Sequence, residues 1–191
     1  MRKVILSVAV SLDSFIEGPN GEYDWCFTDG DYGLSAFFKS VDTIFMGRKS
    51  YEMMLAMGNE TPPGFPKLKE YIFSTTLEKV KEGAILLKAD IKTEVEKIKN
   101  DSSTGSEGKN IWLFGGAGLA SSLINLSLVD EISLAVHPII LGSGKPMFKE
   151  IKDRNWLTLT DSKIYPNGLV MLTYTVKKLG EPGKNENLKT K

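Results

Sequence analysis

A buried strand that runs directly into a glycine-rich turn constrains this chain more than any other segment. Residues 111–119 read Ile-Trp-Leu-Phe-Gly-Gly-Ala-Gly-Leu, and a stretch of small, helix-compatible residues comes next. Glycine lets the backbone come close to a phosphate, and the N–H groups of a first helical turn supply donors and a partial positive charge. The segment therefore predicts a strand, a phosphate-binding turn and a helix that together hold a nucleotide.

The same alternation of strand and helix patterns extends over most of the chain. Short apolar, β-rich runs predict strands, and segments with helical spacing lie between them. The predicted strands are 4–10, 42–46, 71–73, 84–87 and 111–114, and the predicted helices are 34–40, 50–56, 91–99 and 119–126. Such alternation is typical of a largely parallel sheet covered by helices on both faces.

The last third of the chain has a different pattern. It predicts three strands at 131–136, 156–164 and 169–177, and Pro166-Asn167-Gly168 between the last two is a hairpin signal. We therefore expect an antiparallel edge on an otherwise parallel sheet. We also expect one domain over residues 1–178 and a polar tail over 179–191.

Composition narrows the class of function. The 191 residues are 41% hydrophobic and carry 24 basic and 24 acidic side chains, so no net positive field favours nucleic acid. No apolar run reaches the roughly 20 residues of a membrane span, and we expect a cytoplasmic protein without a membrane partner. A single cysteine, Cys26, and a single histidine, His137, predict neither a disulfide nor a zinc site, and no metal is expected. A nucleophilic cysteine would need Cys26 and His137 to meet, and we expect both to be structural.

Three strand-to-helix turns carry the chemistry. The first places Gly47 before Arg48, Lys49 and Ser50, a hydroxyl that can cap the next helix; the second ends a strand in Ser74-Thr75-Thr76; the third is the glycine-rich turn at 115–118. Taken alone, the first turn fits a capped helix with two solvated cations as well as it fits a phosphate site. Because the carboxyl ends of parallel strands share one rim, we expect the three turns to converge there.

A dinucleotide-binding Rossmann unit is the first alternative. Leu119-Ala120-Ser121 comes after the glycines where a third small residue is expected, and no acidic residue ends a strand about 20 residues later to contact a ribose. Arg48 and Lys49 can instead meet an additional phosphate. This pattern favours NADP over NAD.

The ordered set of motifs resembles the dihydrofolate reductase superfamily, and within it the reductase domain of bacterial riboflavin-biosynthesis deaminase-reductases. The matching segments lie within residues 1–177 and are Ser7–Asp13 with Phe15–Gly18, Trp25, Met46–Glu52, Phe73–Thr75, Trp112–Gly118, Leu128–Glu131 and Pro138–Gly144. The resemblance implies a three-layer α/β/α dihydrofolate reductase-like fold with a central mixed, mostly parallel sheet. It also implies bound NADPH and transfer of hydride to a small heterocycle.

The resemblance also implies roles for individual residues. Ala9 and Val10 would contact the nicotinamide through their backbone, Gly18 would lie in a loop that closes over it, and Trp25 would line the substrate side. The expected phosphate ligands are Gly47, Arg48, Lys49, Ser50, Ser74 and Thr75, and the expected pyrophosphate ligands are Gly115, Gly116, Ala117, Gly118 and Leu119.

The resemblance implies a proton donor as well, because dihydrofolate reductases use a buried carboxylate on the first helix. Asp31, 16 residues before Gly47, is the candidate, with Asp24 and Asp29 nearby. Such an acid needs a pKa raised by burial to act at neutral pH.

The chain also departs from the deaminase-reductases. It has no His-x-Glu or Pro-Cys-x-x-Cys zinc signature, which predicts a standalone reductase. The segment after the second strand reads Ser50-Tyr-Glu-Met-Met where those reductases carry a phosphate-positioning Thr-Val-x-x-Asp-Asp-Pro. The expected substrate is a pteridine or an aminopyrimidine, as in 5-amino-6-(5-phosphoribosylamino)uracil reductase. A true dihydrofolate reductase and a non-catalytic NADPH-binding module remain alternatives, and a homodimer is compatible with the sequence.

Overall fold

The fold is a central mixed sheet with helices on both faces, seen in a computed structural model that describes residues 1–58, 65–101 and 109–178. The predicted tail at 179–191 lies outside these residues. The strands are β1 Val4–Ser11, β2 Phe15–Glu17, β3 Val41–Gly47, β4 Lys69–Phe73, β5 Ile85–Leu87, β6 Asn110–Gly115, β7 Glu131–His137, β8 Lys145–Pro146, β9 Leu157–Ile164 and β10 Val170–Val176. The helices are α1 Leu34–Ser40, α2 Arg48–Met57, α3 Ile91–Asn100 and α4 Ala117–Asn125.

Eight strands form the main sheet in the order β5-β4-β3-β6-β1-β7-β10-β9. The first six are parallel to one another, whereas β10 is antiparallel to both β7 and β9. The hairpin between β9 and β10 turns at Pro166–Gly168, where the N–H of Gly168 donates to the carbonyl of Tyr165 over 3.0 Å. The predicted mostly parallel sheet with an antiparallel carboxyl-terminal edge is confirmed.

The pleat of each central strand distributes its side chains between two cores. On β3, Phe45 points into the core that contains Val95 of α3 and Leu123 of α4. Its neighbours Ile44 and Met46 point to the opposite core, where α1 and α2 pack. Side chains along a strand alternate between faces, so a run of consecutive apolar residues is what a strand buried on both sides requires. The result is the expected three-layer arrangement of helices, sheet and helices.

Two buried cations fasten the amino-terminal ends of the strands. The guanidinium of Arg2 donates to the Asp42 carboxylate and, over 2.6 Å, to the Thr43 hydroxyl. The Lys99 ammonium lies 2.6 Å from an Asp130 carboxylate oxygen, which also accepts from the backbone N–H of Val4 over 2.8 Å. Both cations are paired, as buried charges must be. These ion pairs lie at the end of the sheet opposite to the glycine-rich turn.

The sequence patterns missed a second, two-stranded sheet, which we call the strap. It consists of β2 and β8, which pair antiparallel although they have only three and two residues. Helices α2 and α4 also begin two residues earlier than the sequence predicted, α2 directly after β3 and α4 one residue after the end of β6. Over the described residues, no helix combines the length and apolarity that a transmembrane span needs.

Candidate active site

A cavity of about 560 Å³ lies at the carboxyl ends of β3, β4, β5 and β6. The three turns singled out in the sequence meet there, because these four strands are neighbours and parallel. We call it the first cavity. Its lining includes the predicted phosphate ligands Gly47, Arg48, Lys49, Ser50, Ser74 and Thr75 and the predicted pyrophosphate ligands Gly116, Ala117, Gly118 and Leu119.

The first turns of α2 and α4 both face this cavity and have uncapped ends. α2 begins after Gly47 and α4 after Gly116, and neither helix has a side-chain capping hydrogen bond among the described residues. The leading N–H groups of a helix have no intrahelical acceptor, and they attract anions together with the helix dipole. The expected cap by Ser50 is wrong, because Ser50 lies inside the first turn of α2. Two helix ends at one cavity provide N–H donors of the kind that suits an anion with several charged oxygens.

Both the backbone conformation and the limited space for a side chain favour glycine at position 116. Its φ is 82°, and an added Cβ would come within 3.1 Å of Ser50 Oγ. Gly118 is different, because an added Cβ there would have no neighbour within 4 Å. Space for a side chain that the sequence leaves empty is consistent with the close approach of a ligand to this helix turn.

The first cavity is strongly cationic. Among the described residues, the charged ones that line it are all basic: Arg48, Lys49, Lys88, Lys145 and Lys149. Three of them have carboxylate partners, with N–O distances of 3.3 Å for Arg48 to Glu52, 3.0 Å for Lys145 to Glu17 and 3.5 Å for Lys149 to Glu150. Within the described part of the chain Lys49 and Lys88 have no ion pair, so their charge is available to a ligand.

A second cavity of about 360 Å³ adjoins the first along β1, β6 and β7. The two share the lining residues Ser50, Gly116 and Lys145. Aromatic side chains dominate the walls of the second cavity: Tyr23, Phe27, Tyr32, Trp112 and Phe114. One continuous site therefore has a cationic part and an aromatic part.

Only some of the residues predicted to contact the nicotinamide or the substrate line the second cavity. Ala9 and Gly115 line it, whereas Val10 is buried and Gly18 is next to the lining residue Glu17. Gly115 thus lies in the second cavity, apart from the rest of the predicted pyrophosphate turn. Trp25 does not line either cavity and instead packs edge-on against the ring of His137, with ring centroids 5.3 Å apart.

His137 and Cys26 both line the second cavity, although the sequence suggested only structural roles. His137 Nε2 accepts a hydrogen bond from the N–H of Phe27 over 3.1 Å, and Nδ1 lies 3.0 Å from the carbonyl oxygen of Ala135. This pattern fits a neutral imidazole with its proton on Nδ1, and burial lowers the pKa of His137. Burial, with a contribution from the Asp24 charge, raises the pKa of Cys26 to about 11, so the thiol is no nucleophile at neutral pH.

The acid role expected for Asp31 is not supported and needs correction. Asp31 is exposed, and its carboxylate accepts from the N–H groups of Ser35 over 2.9 Å and Gly33 over 3.1 Å at the start of α1. Hydrogen bonds from the side chain and then the backbone of Ser35 lower the pKa of Asp31. A proton donor at neutral pH needs a raised pKa, and Asp31 lines neither cavity.

The strap crosses the junction of the two cavities. The Lys145 ammonium of β8 lies 3.0 Å from Glu17 Oε1 of β2, and Lys145 lines both cavities. Asp13 holds the loop before β8, because its carboxylate accepts from the N–H of Leu141 over 3.1 Å and of Gly142 over 2.8 Å. A hydrogen bond from Ser11 is the main reason that the pKa of Asp13 is lowered. The loop at 141–144 is thus fixed to the end of β1 beside the site.

No cluster suited to a metal ion occurs among the residues that the structure describes, since histidine, cysteine, aspartate and glutamate side chains nowhere gather in threes. The polar groups of the first cavity are instead backbone N–H groups, hydroxyls, ammonium groups and the Arg48 guanidinium, which are groups that bind phosphate oxygens.

An α/β fold of the dihydrofolate reductase type, with a cationic cavity beside an aromatic one, defines the class of this protein. The sequence matches the family described as RibD C-terminal domain over residues 2–171, and the chain belongs to that family of riboflavin-pathway reductase domains. It is 41% identical over 182 residues to the uncharacterized protein YyaP of Bacillus subtilis, covering 91% of this chain and 94% of YyaP.

Solved structures show the same fold. A putative riboflavin biosynthesis protein from a Shewanella species superposes with a TM-score of 0.79 at 24% identity, covering 92% of this chain and 99% of that one. Dihydrofolate reductase of Schistosoma mansoni superposes with a TM-score of 0.61 at 15% identity, covering 92% and 99%. The predicted membership and fold class are confirmed.

Proposed function

We propose that this protein is an NADPH-dependent reductase that transfers hydride to a small heterocyclic substrate of the pteridine or aminopyrimidine type. The observation that carries the proposal is the junction of the two cavities at Ser50, Gly116 and Lys145. A dinucleotide with phosphates at one end and a flat ring at the other needs such a divided site. Membership of a reductase family supports the same conclusion.

The donor set fits the phosphates of NADPH. The leading N–H groups of α4, from Ala117 to Leu119, are suited to the pyrophosphate, because the open space at Gly118 lets oxygens reach them. Lys49, Lys88 and the hydroxyls after β4 are suited to a further phosphate, which NADPH has and NADH lacks. A nicotinamide ring would lie against Ala9 in the second cavity.

Bound NADPH would supply the hydride, and the protein positions the reactants and excludes water. Ala9 and Gly115 have no bulky side chain, so flat rings can approach β1 and β6 closely. Trp112 is held in place by a hydrogen bond from its Nε1 to the carbonyl oxygen of Ser7 over 3.1 Å. A substrate ring that packs against the aromatic walls would displace water from its faces.

The test is a titration of intrinsic tryptophan fluorescence with NADPH and with NADH. Trp112 lines the second cavity, so a nicotinamide bound there should quench its emission, with NADPH effective at lower concentration than NADH. Comparable affinity for both would contradict the phosphate assignment, and no quenching by either at millimolar concentration would refute the cofactor.

Measurements of NADPH oxidation distinguish the proposed function from two alternatives. Oxidation of NADPH that depends on dihydrofolate would identify a true dihydrofolate reductase. Tight NADPH binding without oxidation across a panel of pteridines and pyrimidines would identify a non-catalytic binding module.

A homodimer stays a prediction. The apolar side chains of Leu157, Leu159 and Ile164 on the edge strand β9 are exposed by 38%, 51% and 78%, which offers a surface for a second copy. Sedimentation equilibrium would decide between monomer and dimer.

A further inference from the structure

The charges that line the two cavities are divided unequally. Within the described residues the only formally charged side chains of the second cavity are Glu17 and Lys145, and their N–O distance is 3.0 Å. Each neutralises the other, and the hydrogen bonds of His137 fit a neutral ring. In the described part of the chain, the lining of the second cavity therefore has no net charge, whereas every charged residue that lines the first cavity is a cation.

Most polar atoms around the second cavity already have partners. Trp112 Nε1 donates to Ser7, both ring nitrogens of His137 are engaged, and the Tyr32 hydroxyl bonds to Asp29 and accepts from Asn167. The hydroxyls of Ser7 and Tyr23 make no hydrogen bond with any described residue. These two neutral groups can donate to or accept from the carbonyl oxygens and nitrogens of a ring.

The walls have the shape and chemistry that suit a flat ring. Trp112 and Phe114 meet edge to face, with centroids 4.9 Å apart and planes at 83°, and Phe27 and Tyr32 form a second pair at 6.4 Å. Met53 and Met171 complete the apolar lining with adaptable thioether side chains. Such walls bind planar molecules through stacking and edge contacts.

We infer that the ring system that enters the second cavity is an uncharged planar heterocycle with no phosphate or carboxylate attached to it. This inference rests on the proposed function and specifies the substrate class of the same site. An anion on the ring would lose its hydration without meeting an unpaired cation, and an unpaired buried charge is strongly disfavoured. Among the described residues, Lys145 is the one cation that lines the second cavity, and it is paired with Glu17.

The test compares uncharged pteridines with the same rings carrying one carboxylate. Equilibrium dialysis of pterin against pterin-6-carboxylate, and of lumazine against lumazine-6-carboxylate, reports affinity without turnover. We expect each parent ring to bind about tenfold or more tightly than its carboxylate. Equal or tighter binding of the carboxylates overturns the inference, and so does failure of both parent rings to bind.

A gained charge provides the converse test. Met53→Lys places an ammonium group on the wall of the second cavity with a side chain of similar length, and Met53→Leu is the uncharged control. The lysine variant should bind pterin-6-carboxylate at least about fivefold more tightly than the unaltered protein does, while the leucine variant keeps the original preference. A preference that is unchanged in the lysine variant, with folding verified by circular dichroism, contradicts the inference.

The outcome is distinguishable from failure of the proposed function. Dialysis is carried out with and without NADP⁺, and NADPH binding is measured separately through tryptophan fluorescence. Pteridine binding without any NADPH binding refutes the reductase but leaves the assigned ligand class intact. NADPH binding together with preference for the carboxylates refutes the ligand class alone.

Discussion

Replacement of Gly118 by alanine tests whether this position requires glycine for ligand binding or for folding. Gly118 is the second residue of α4, and its backbone lacks the positive φ of its neighbours Gly115 and Gly116. An added Cβ has no neighbour within 4 Å, and Gly118 is one of the residues that line the first cavity. None of the residues that the structure describes therefore opposes an alanine there.

We expect Gly118→Ala to raise the stability of the protein and to weaken its binding of NADPH. Alanine is favoured over glycine in a helix by about 0.5 to 1 kcal/mol, which corresponds to a rise in Tm of about 1 to 4 °C for a domain of this size. NADPH binding should weaken about ten- to a hundredfold, because a methyl group would interfere with charge-assisted hydrogen bonds worth about 1.5 to 3 kcal/mol.

Differential scanning calorimetry and the fluorescence titration measure the two effects on one preparation. Lys97→Ala on α3 is the control, since Lys97 is exposed and lines neither cavity, and it should leave NADPH affinity unchanged. A lower Tm for Gly118→Ala with unaltered NADPH affinity would refute the reasoning, because the glycine would then serve packing.

Three further changes test other parts of the site. Lys88→Ala should weaken NADPH about tenfold and leave NADH unaffected in the fluorescence titration, whereas equal losses would place Lys88 away from the extra phosphate. Gly144→Ala should destabilise the protein to urea by about 2 to 4 kcal/mol, because φ is 145° and a Cβ would overlap the Glu17 carbonyl; an unchanged midpoint contradicts this. Folding lowers the pKa of His137, so the unfolded chain binds a proton at this residue more readily than the folded chain does. The free energy of unfolding should therefore fall as the pH drops below about 6.5, by up to about 1.4 kcal/mol per pH unit. Urea midpoints across that range should depend less on pH for His137→Gln, and equal dependence would show that other groups are responsible.

The main sheet could be predicted from the sequence because short, local runs of residues indicate its strands and the turns after them. Consecutive apolar residues such as Ile44, Phe45 and Met46 are needed wherever a strand is covered on both faces, and glycine after a strand marks the turn into a helix. The convergence of Gly47, Ser74 and Gly116 results from one rule, that parallel strands end on the same side.

Features that depend on distant pairing could not be predicted in this way. The strap joins Phe15 to Pro146 through backbone pairing, and neither short segment has a periodicity that indicates its partner. The presence of both Cys26 and His137 in the lining of the second cavity has the same origin. Asp31 shows a further limit, because its spacing suited an acid but its exposure, and hence the direction of its pKa shift, depends on how α1 begins.

The position of β1 in the sheet has a consequence for synthesis of the chain. β1 is the first strand to be made but lies between β6 and β7, with Val4 opposite Ile111 and Ile5 opposite Glu131. At translation rates of about 5 to 20 residues per second, it waits roughly 5 to 25 s for those partners. Contacts of such large sequence separation slow folding and prolong the exposure of an apolar strand. A nascent chain that ends before β7 would still lack one neighbour of this central strand, so cofactor binding should arise only when nearly all of the domain has left the ribosome.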